Sequence, residues 1–481
     1  MSYSTLFLPR GYTWRSSSAF IIFTAVLALF TEGLLYSIIV PILSYMIEVR
    51  LGLPSSQTPW YTSALLATHG FFSMLSAPVI GHFADRTPDR KTPLLFCLVG
   101  CAGGTGLVAF TPSVAALFLG RILQAVSGSA AWIVAFATIA DNVAPERLGQ
   151  TLGLASSFVS SGIISGPAVS GTLLEVAGYW SVWAMPLMLI VGGLVARLLM
   201  IERDRDTKHD HASSSDQGEN DERSSLLGQS HDQDGGSSND SDSVPTTTEP
   251  EPSNPESTRA SNPGTSPPPP PPTRNTFYTL ILTDPRVIVS LLNTLLFASI
   301  VTSFDSTLPL HLRRIFNWGS LPSGLTFFAL QIPGPFLNPV AGMLRDRVGL
   351  RYPTTIGWVL VAALLWVLGL PGSGRLGFQS GLGSVNGLKV EKGVFVAAVA
   401  AIGCALPLVR GVAMVQIMGI VYEIKERNPG LLGKHGATSK VFSSIEVVFN
   451  LGTTLGPIIA GSLMQGVGFY YTGCVLGEPF F

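Results

Sequence analysis

"GHFADRTPDRK" (residues 81–91) follows the apolar run "SALLATHGFFSMLSAPVI" (63–80), and five charges crowd into its last seven positions: Asp85, Arg86, Asp89, Arg90 and Lys91. A second stretch, "GMLRDRVGLR" (342–351), repeats its pattern. Gly81, Asp85, Arg86 and Arg90 correspond to Gly342, Asp346, Arg347 and Arg351, each 261 residues further on. A loop that needed only positive charge would not require two aspartates placed alike. The stretch is therefore read as one half of an internal repeat.

A second pair of motifs supports the repeat. Gly162, Gly166, Pro167 and Gly171 recur as Gly452, Gly456, Pro457 and Gly461, offset by 290 residues. The difference between the offsets is absorbed mainly by the loop "GSGRLGFQSGLGSVNGLKVEKG" (372–393). Small residues four apart let helices approach closely, and a proline bends a helix, so these positions are expected to serve packing and gating.

The surroundings are those of a membrane protein. Of 481 residues, 47% are hydrophobic and only 12% charged, against roughly a quarter charged in soluble domains. A spanning helix needs about 20 apolar residues. Runs of that length lie near 18–43, 60–82, 93–111, 113–140, 150–174, 179–200, 286–310, 321–343, 353–371, 394–421 and 438–465. The first is too long for a signal peptide's apolar core. A twelfth run starts near Phe469 but has only thirteen residues to the last one given, so a truncated helix is expected there. The net charge of −1 argues against nucleic acid as a partner. Cys97, Cys101, Cys404 and Cys474 lie in apolar runs and read as small hydrophobes, not as a metal site.

The expected organisation is a tail (1–17), a six-helix bundle (18–200), a linker (201–276), and a second bundle (277–481) of helices 7–11 plus a partial twelfth. The linker is charged, rich in Ser and Pro, and holds six prolines at 267–272, a composition that cannot bury a core. About twenty of the 29 Lys and Arg residues fall on one side of the spans and about six on the other, which predicts a cytosolic tail and linker.

Two parallel six-helix repeats joined by a linker describe one transporter architecture, with its site between the halves. The chain resembles the major facilitator superfamily. "GHFADRTPDRK" is similar to that family's loop 2–3 motif, G-x-x-x-D-R-x-x-R-[KR]. "GIISGPAVSG" (162–171) resembles the helix 5 motif of its proton-coupled antiporters, with Ser170 for a glycine. "LGRILQAVSGSA" (119–130) resembles the helix 4 motif R-x-x-Q-G through Arg121 and Gln124, with Ala125 for glycine. The resemblance covers nearly all of 18–465 and implies an all-α membrane fold and alternating access. The repeated charged stretches would act as a conformational latch.

Within that superfamily the chain is most similar to vesicular amine transporters and twelve-helix drug:proton antiporters. "ALFTEGLLYSIIVPIL" (28–43) resembles their helix 1, with Glu32 at an acidic position. "FDSTLPLHL" (304–312) resembles helix 7 through Asp305, and "SSIEVVFNLGTTLGP" (443–457) helix 11 through Glu446. "LVRGVAMVQIMG" (408–419) resembles helix 10 but carries Arg410 where the relatives have an aspartate. A charge at mid-bilayer costs at least a few kcal/mol, so each of these residues needs a reason. Glu32, Arg121, Gln124, Asp305, Arg410 and Glu446 are the candidates for binding protons or a small organic solute. Arg410 either pairs with Glu446 or binds an anionic group of the solute. Arg50, Arg197, Arg313 and Glu423 read as snorkelling to the interface, and His69 as a packing residue.

No Walker loop, H-E-x-x-H or Ser–His–Asp grouping stands out, so neither an enzyme nor a cofactor is expected, and the energy source would be a gradient, of protons above all. A nutrient receptor without net flux and an inactive truncated product are the alternatives. In the linker, Glu222, Leu226 and Leu227 of "ERSSLLG" resemble an acidic dileucine signal. A sorting adaptor could read it, which makes a vacuolar or endosomal membrane a rival to the plasma membrane.

Overall fold

The computed structural model describes residues 12–87, 89–201, 281–318, 320–372, 384–427 and 437–477. Among them there is no strand. After a single helical turn (Tyr12–Arg15), six helices form the first group: α1 (Ser18–Ser44), α2 (Thr58–Ala84), α3 (Lys91–Phe110), α4 (Val114–Asn142), α5 (Leu148–Ala177) and α6 (Tyr179–Leu199). The second group comprises α7 (Pro285–Phe316), α8 (Ser320–Gln331), α9 (Pro333–Val348), α10 (Arg351–Gly369), α11 (Ser384–Val409), α12 (Val412–Arg427), α13 (Thr438–Gly466) and α14 (Phe469–Gly477).

Local sequence sets several starts. Ser17 and Ser113 cap α1 and α4 by accepting from the Phe20 and Ala116 N–H. Asp284 does the same for Arg286 N, with Pro285 in the first turn of α7, where its missing N–H costs nothing.

Two expected spans are broken. The run at 321–343 divides at Ile332 into α8 and α9, with Pro333 in the first turn of the second piece. Neither piece is long enough to span alone, so ten helical stretches among the described residues are long and apolar enough to cross a membrane, not eleven. The run at 394–421 divides at Arg410–Gly411 into α11 and α12. Pro407 lies inside the last turn of α11, and Gly411 takes φ +76°, a left-handed conformation that glycine adopts at no steric cost. The twelfth run forms α14, nine residues long, and residues 478–481 lie outside the described set.

The perimeter is apolar. Val176 (80% exposed), Phe96 (75%) and Phe336 (73%) stand outward, a surface fitted to lipid and not to water.

The glycine repeat organises the packing. On α5, a Cβ at Gly162 or Gly166 would run into the α1 backbone or the Ser37 hydroxyl. On α13, a Cβ at Gly452 would lie 2.6 Å from Leu295 O and 2.7 Å from Ala298 Cβ of α7, and Gly456 is as close to Ser299 and Thr302. Ser303 then donates to Gly456 O at 3.1 Å. So α5 lies on α1 as α13 lies on α7, with Pro167 and Pro457 inside their helices. The last position of the pattern is a correction: a Cβ at Gly171 or Gly461 meets nothing within 4 Å, so neither mediates close approach. Gly452→Ala is therefore expected to destabilise by about 1–3 kcal/mol through overpacking, and Gly461→Ala by less than about 0.5. Thermal unfolding in detergent measures both.

Candidate functional site

The expected residues fall at two sites, the first of them set by the repeat. The first joins the two helix groups at one end of the molecule. Asp85, the C-cap of α2, accepts from Ser439 N at 2.9 Å and Lys440 N at 3.0 Å, in the first turn of α13. Asp346, near the end of α9, accepts from Gly149 N at 2.9 Å and Gln150 N at 2.7 Å, in the first turn of α5. Each carboxylate fills a helix N-terminus where N–H groups lack intrahelical partners and the dipole favours negative charge. The donors at Gly149 and Ser439 are themselves 290 residues apart, the offset of the glycine repeat. The contacts are thus exchanged: α2 of the first group caps α13 of the second, and α9 of the second caps α5 of the first. Gly81 and Gly342 permit this, since a Cβ on either would collide with Ser443 or with Gly149 O.

The arginines are not exchanged in the same way. Arg90 is 2% exposed and bonds Asp85 at 3.3 Å and Asp141 of α4 at 3.1 Å. It also donates to Ala84 O and Ser439 Oγ. Arg351, its repeat equivalent, is exposed, as are Arg86 and Arg347, and none of the three joins a network. Of the eight residues expected to act as a latch, Gly81, Asp85, Arg90, Gly342 and Asp346 take part in these contacts, while Arg86, Arg347 and Arg351 are exposed. Arg197 is a second correction. It does not snorkel but is fully buried, donating to Arg90 O at 2.8 Å and to Thr24 at 3.2 Å. Arg50 fits the interfacial expectation, lying over the Tyr179 ring at 4.4 Å.

The second site lies among the helices of the first group, on α1 and α4. Arg121 of α4 is 1% exposed and donates through Nη1 to Gln124 Oε1 at 3.0 Å, and Gln124 Nε2 donates to Thr105 Oγ1 at 3.0 Å. The Nε and Nη2 of Arg121 have no hydrogen-bond partner. The carboxylate of Glu32 rests against Gly128, where a Cβ would overlap it, and accepts from Cys101 Sγ at 3.8 Å. Glu32 and Arg121 interact through space without forming an ion pair. Nearby, Tyr36 of α1 meets His69 of α2 with ring centroids 5.4 Å apart.

From the second group, Glu446 of α13 is 8% exposed and accepts from Asn450 Nδ2 at 3.0 Å. Arg410 does not pair with Glu446. It donates to Ser160 Oγ of α5 at 2.6 Å and lies 5.9 Å from the Phe297 ring. Asp305 of α7 is exposed. The structure therefore joins Arg121 to Gln124, seats Glu32 against the same helix at Gly128, and turns Arg410 to Ser160. Asp141, Gly149, Gln150, Ser439 and Lys440 escaped the sequence reading. The shared 290-residue offset could have revealed Gly149 and Ser439, but backbone donors carry no side-chain signature. Glu222, Leu226 and Leu227 lie outside the described residues.

The sequence model of the family described as Major Facilitator Superfamily matches residues 25–423. An uncharacterized MFS-type transporter of Schizosaccharomyces pombe is 29% identical over 455 residues, covering 95% of this chain and 92% of its own. The MFS-type transporter ppzB of Metarhizium rileyi is 26% identical over 97% of this chain and 93% of its own. A probable vesicular acetylcholine transporter of Danio rerio is 32% identical over 31% of each chain. In structure, the human organic anion transporter MFSD10 superposes with a TM-score of 0.61 over 96% of this chain and 97% of its own, at 16% identity.

Proposed function

The chain belongs to the Major Facilitator Superfamily, and from that membership we propose that it exchanges a small organic solute for protons by alternating access. The relatives matched over nearly their full length are named MFS-type transporters. Proton coupling is supported above all by one observation: Glu32 and Glu446 are carboxylates on long apolar helices of opposite helix groups, and neither has a cation in ion-pair contact among the described residues. Carboxylates so placed are characteristic of proton relays. A proton taken up there when the site faces one side, and released when it faces the other, couples the gradient to solute movement. Arg121, oriented by Gln124, adjusts the field at Glu32.

The Asp85 and Asp346 contacts support the alternating part. Both cross between helix groups at one end, so that end opens only when they break. The excess of Lys and Arg on that side marks it as cytosolic, and the conformation described is then the outward-facing one. In the linker, Glu222, Leu226 and Leu227 would recruit a sorting adaptor and direct the protein to a vacuolar or endosomal membrane.

The test uses protein reconstituted in liposomes with an acidic interior and a pH dye, to which pools of organic cations, organic anions and neutral solutes are added. Alkalinisation of the lumen driven by one pool is expected. No response to any pool, with folded protein that performs counterflow of labelled solute, would replace antiport by uniport.

A further inference from the structure

A cavity separate from the Glu32 cluster opens beside the Asp346 contact. Its walls come from both helix groups: Gly149, Gly153 and Ser156 of α5, Asn338 and Arg345 of α9, and the Arg410–Gly411 break between α11 and α12. It has room for about one water-sized occupant. The chemistry of the wall is one-sided. Arg345 is 5% exposed; its Nη2 donates to Pro407 O at 2.5 Å, but its Nε has no partner. Asn338 is 3% exposed, and its Nδ2 also has no partner. Arg410 brings a second guanidinium, held at one edge by Ser160.

No carboxylate among the described residues forms an ion pair with either arginine. Asp346 is next in the chain to Arg345, but its two oxygens each accept a backbone N–H of α5.

Arg345 Nε and Asn338 Nδ2 are thus buried donors without a partner, and the half-buried Arg410 adds a second guanidinium at the same cavity. Each orphaned donor carries a desolvation cost. A single anion relieves all of them. We propose that a monovalent anion of chloride's size binds between α5, α9 and α12, held by Arg345, Arg410 and the Asn338 amide, and stabilises the closed end of the transporter. Chloride, a single atom, needs less of this small cavity than acetate does, so chloride is the preferred occupant. Because the walls come from both helix groups, the occupant holds them together, and opening that end releases it. The inference is independent of proton coupling and of the transported solute, since binding is read without transport.

The test is thermal unfolding of the detergent-purified full chain while chloride replaces gluconate at constant ionic strength. The expected result is a saturable rise in melting temperature of roughly 2 °C or more, with no rise when acetate replaces gluconate. Arg345→Gln is expected to abolish the rise. Asn338→Leu leaves both arginines in place and is expected to raise the half-saturating chloride concentration about tenfold. Size-exclusion chromatography and circular dichroism establish that each variant is folded. An absent chloride effect in the wild type overturns the proposal. So does an equal response to acetate, or a chloride response unchanged in both variants.

Discussion

Glu32→Gln is expected to abolish solute-driven proton flux and uphill transport while counterflow of labelled solute continues. Glutamine has nearly the shape of glutamate, so the contact with Gly128 and the approach of Cys101 survive. What is lost is the proton-accepting charge. Solute-driven alkalinisation should fall to the level of empty liposomes. Counterflow needs only reorientation of the loaded transporter, so it reports that the variant is folded and binds solute. If the variant still moves solute uphill against a proton gradient, Glu32 is not the coupling residue. Glu446→Gln then becomes the next variant, because Glu446 is the other carboxylate of the pair. Loss of both coupled flux and counterflow would point to a role for Glu32 in binding the solute itself.

The second large effect is asymmetric. Asp85→Ala is expected to destabilise the protein about twice as much as Asp346→Ala, although the two residues are equivalent in the repeat. Both changes remove two charge-assisted bonds to a helix N-terminus, each worth about 1.5–3 kcal/mol. Asp85→Ala also takes one of the two carboxylates from Arg90, which is 2% exposed, with Asp85 itself at 6%. Breaking a buried pair by removing one partner costs about 3–5 kcal/mol. Asp346 has no arginine in ion-pair contact among the described residues: Arg345 donates instead to Pro407 O, Arg347 and Arg351 are exposed, and its Gln150 donor lies open to water. Melting temperatures of the two variants in the same detergent measure the difference. Equal losses would mean that the Arg90 network adds nothing beyond the helix caps. The same comparison bears on transport: an end that closes less tightly reorients more easily, so the variant with the larger stability loss should also show the larger change in counterflow rate.

The sequence was most legible where a pattern repeats. The 261-residue offset identified Asp85 and Asp346 as equivalent, and the 290-residue offset did the same for the glycines that press α5 on α1 and α13 on α7. The motif around Arg121 and Gln124 was legible as well, because three residues along a helix places their side chains side by side. The fate of the remaining charges was not. Arg90 and Arg351 share a repeat position, yet one is buried between two aspartates and the other faces outward. The partner that decides this, Asp141, belongs to a different helix. Arg197 looked like an interfacial residue from its place at a helix end, and only the neighbouring loop, whose Arg90 carbonyl it binds, makes it a buried one.

By itself, then, the sequence determined the helices, their apolar faces, the twofold repeat and the acidic and basic positions inside the membrane, because these depend on residue type and spacing along one chain. Which charges meet was decided only by the tertiary structure. Arg410 turns to Ser160 and not to Glu446, Arg90 finds Asp141 on another helix, and Asp85 and Asp346 find backbone N–H groups on helices of the opposite group. Those pairings depend on the packing of helices hundreds of residues apart. In a low-dielectric interior, a few ångströms of separation decide whether two charges attract, repel or ignore one another.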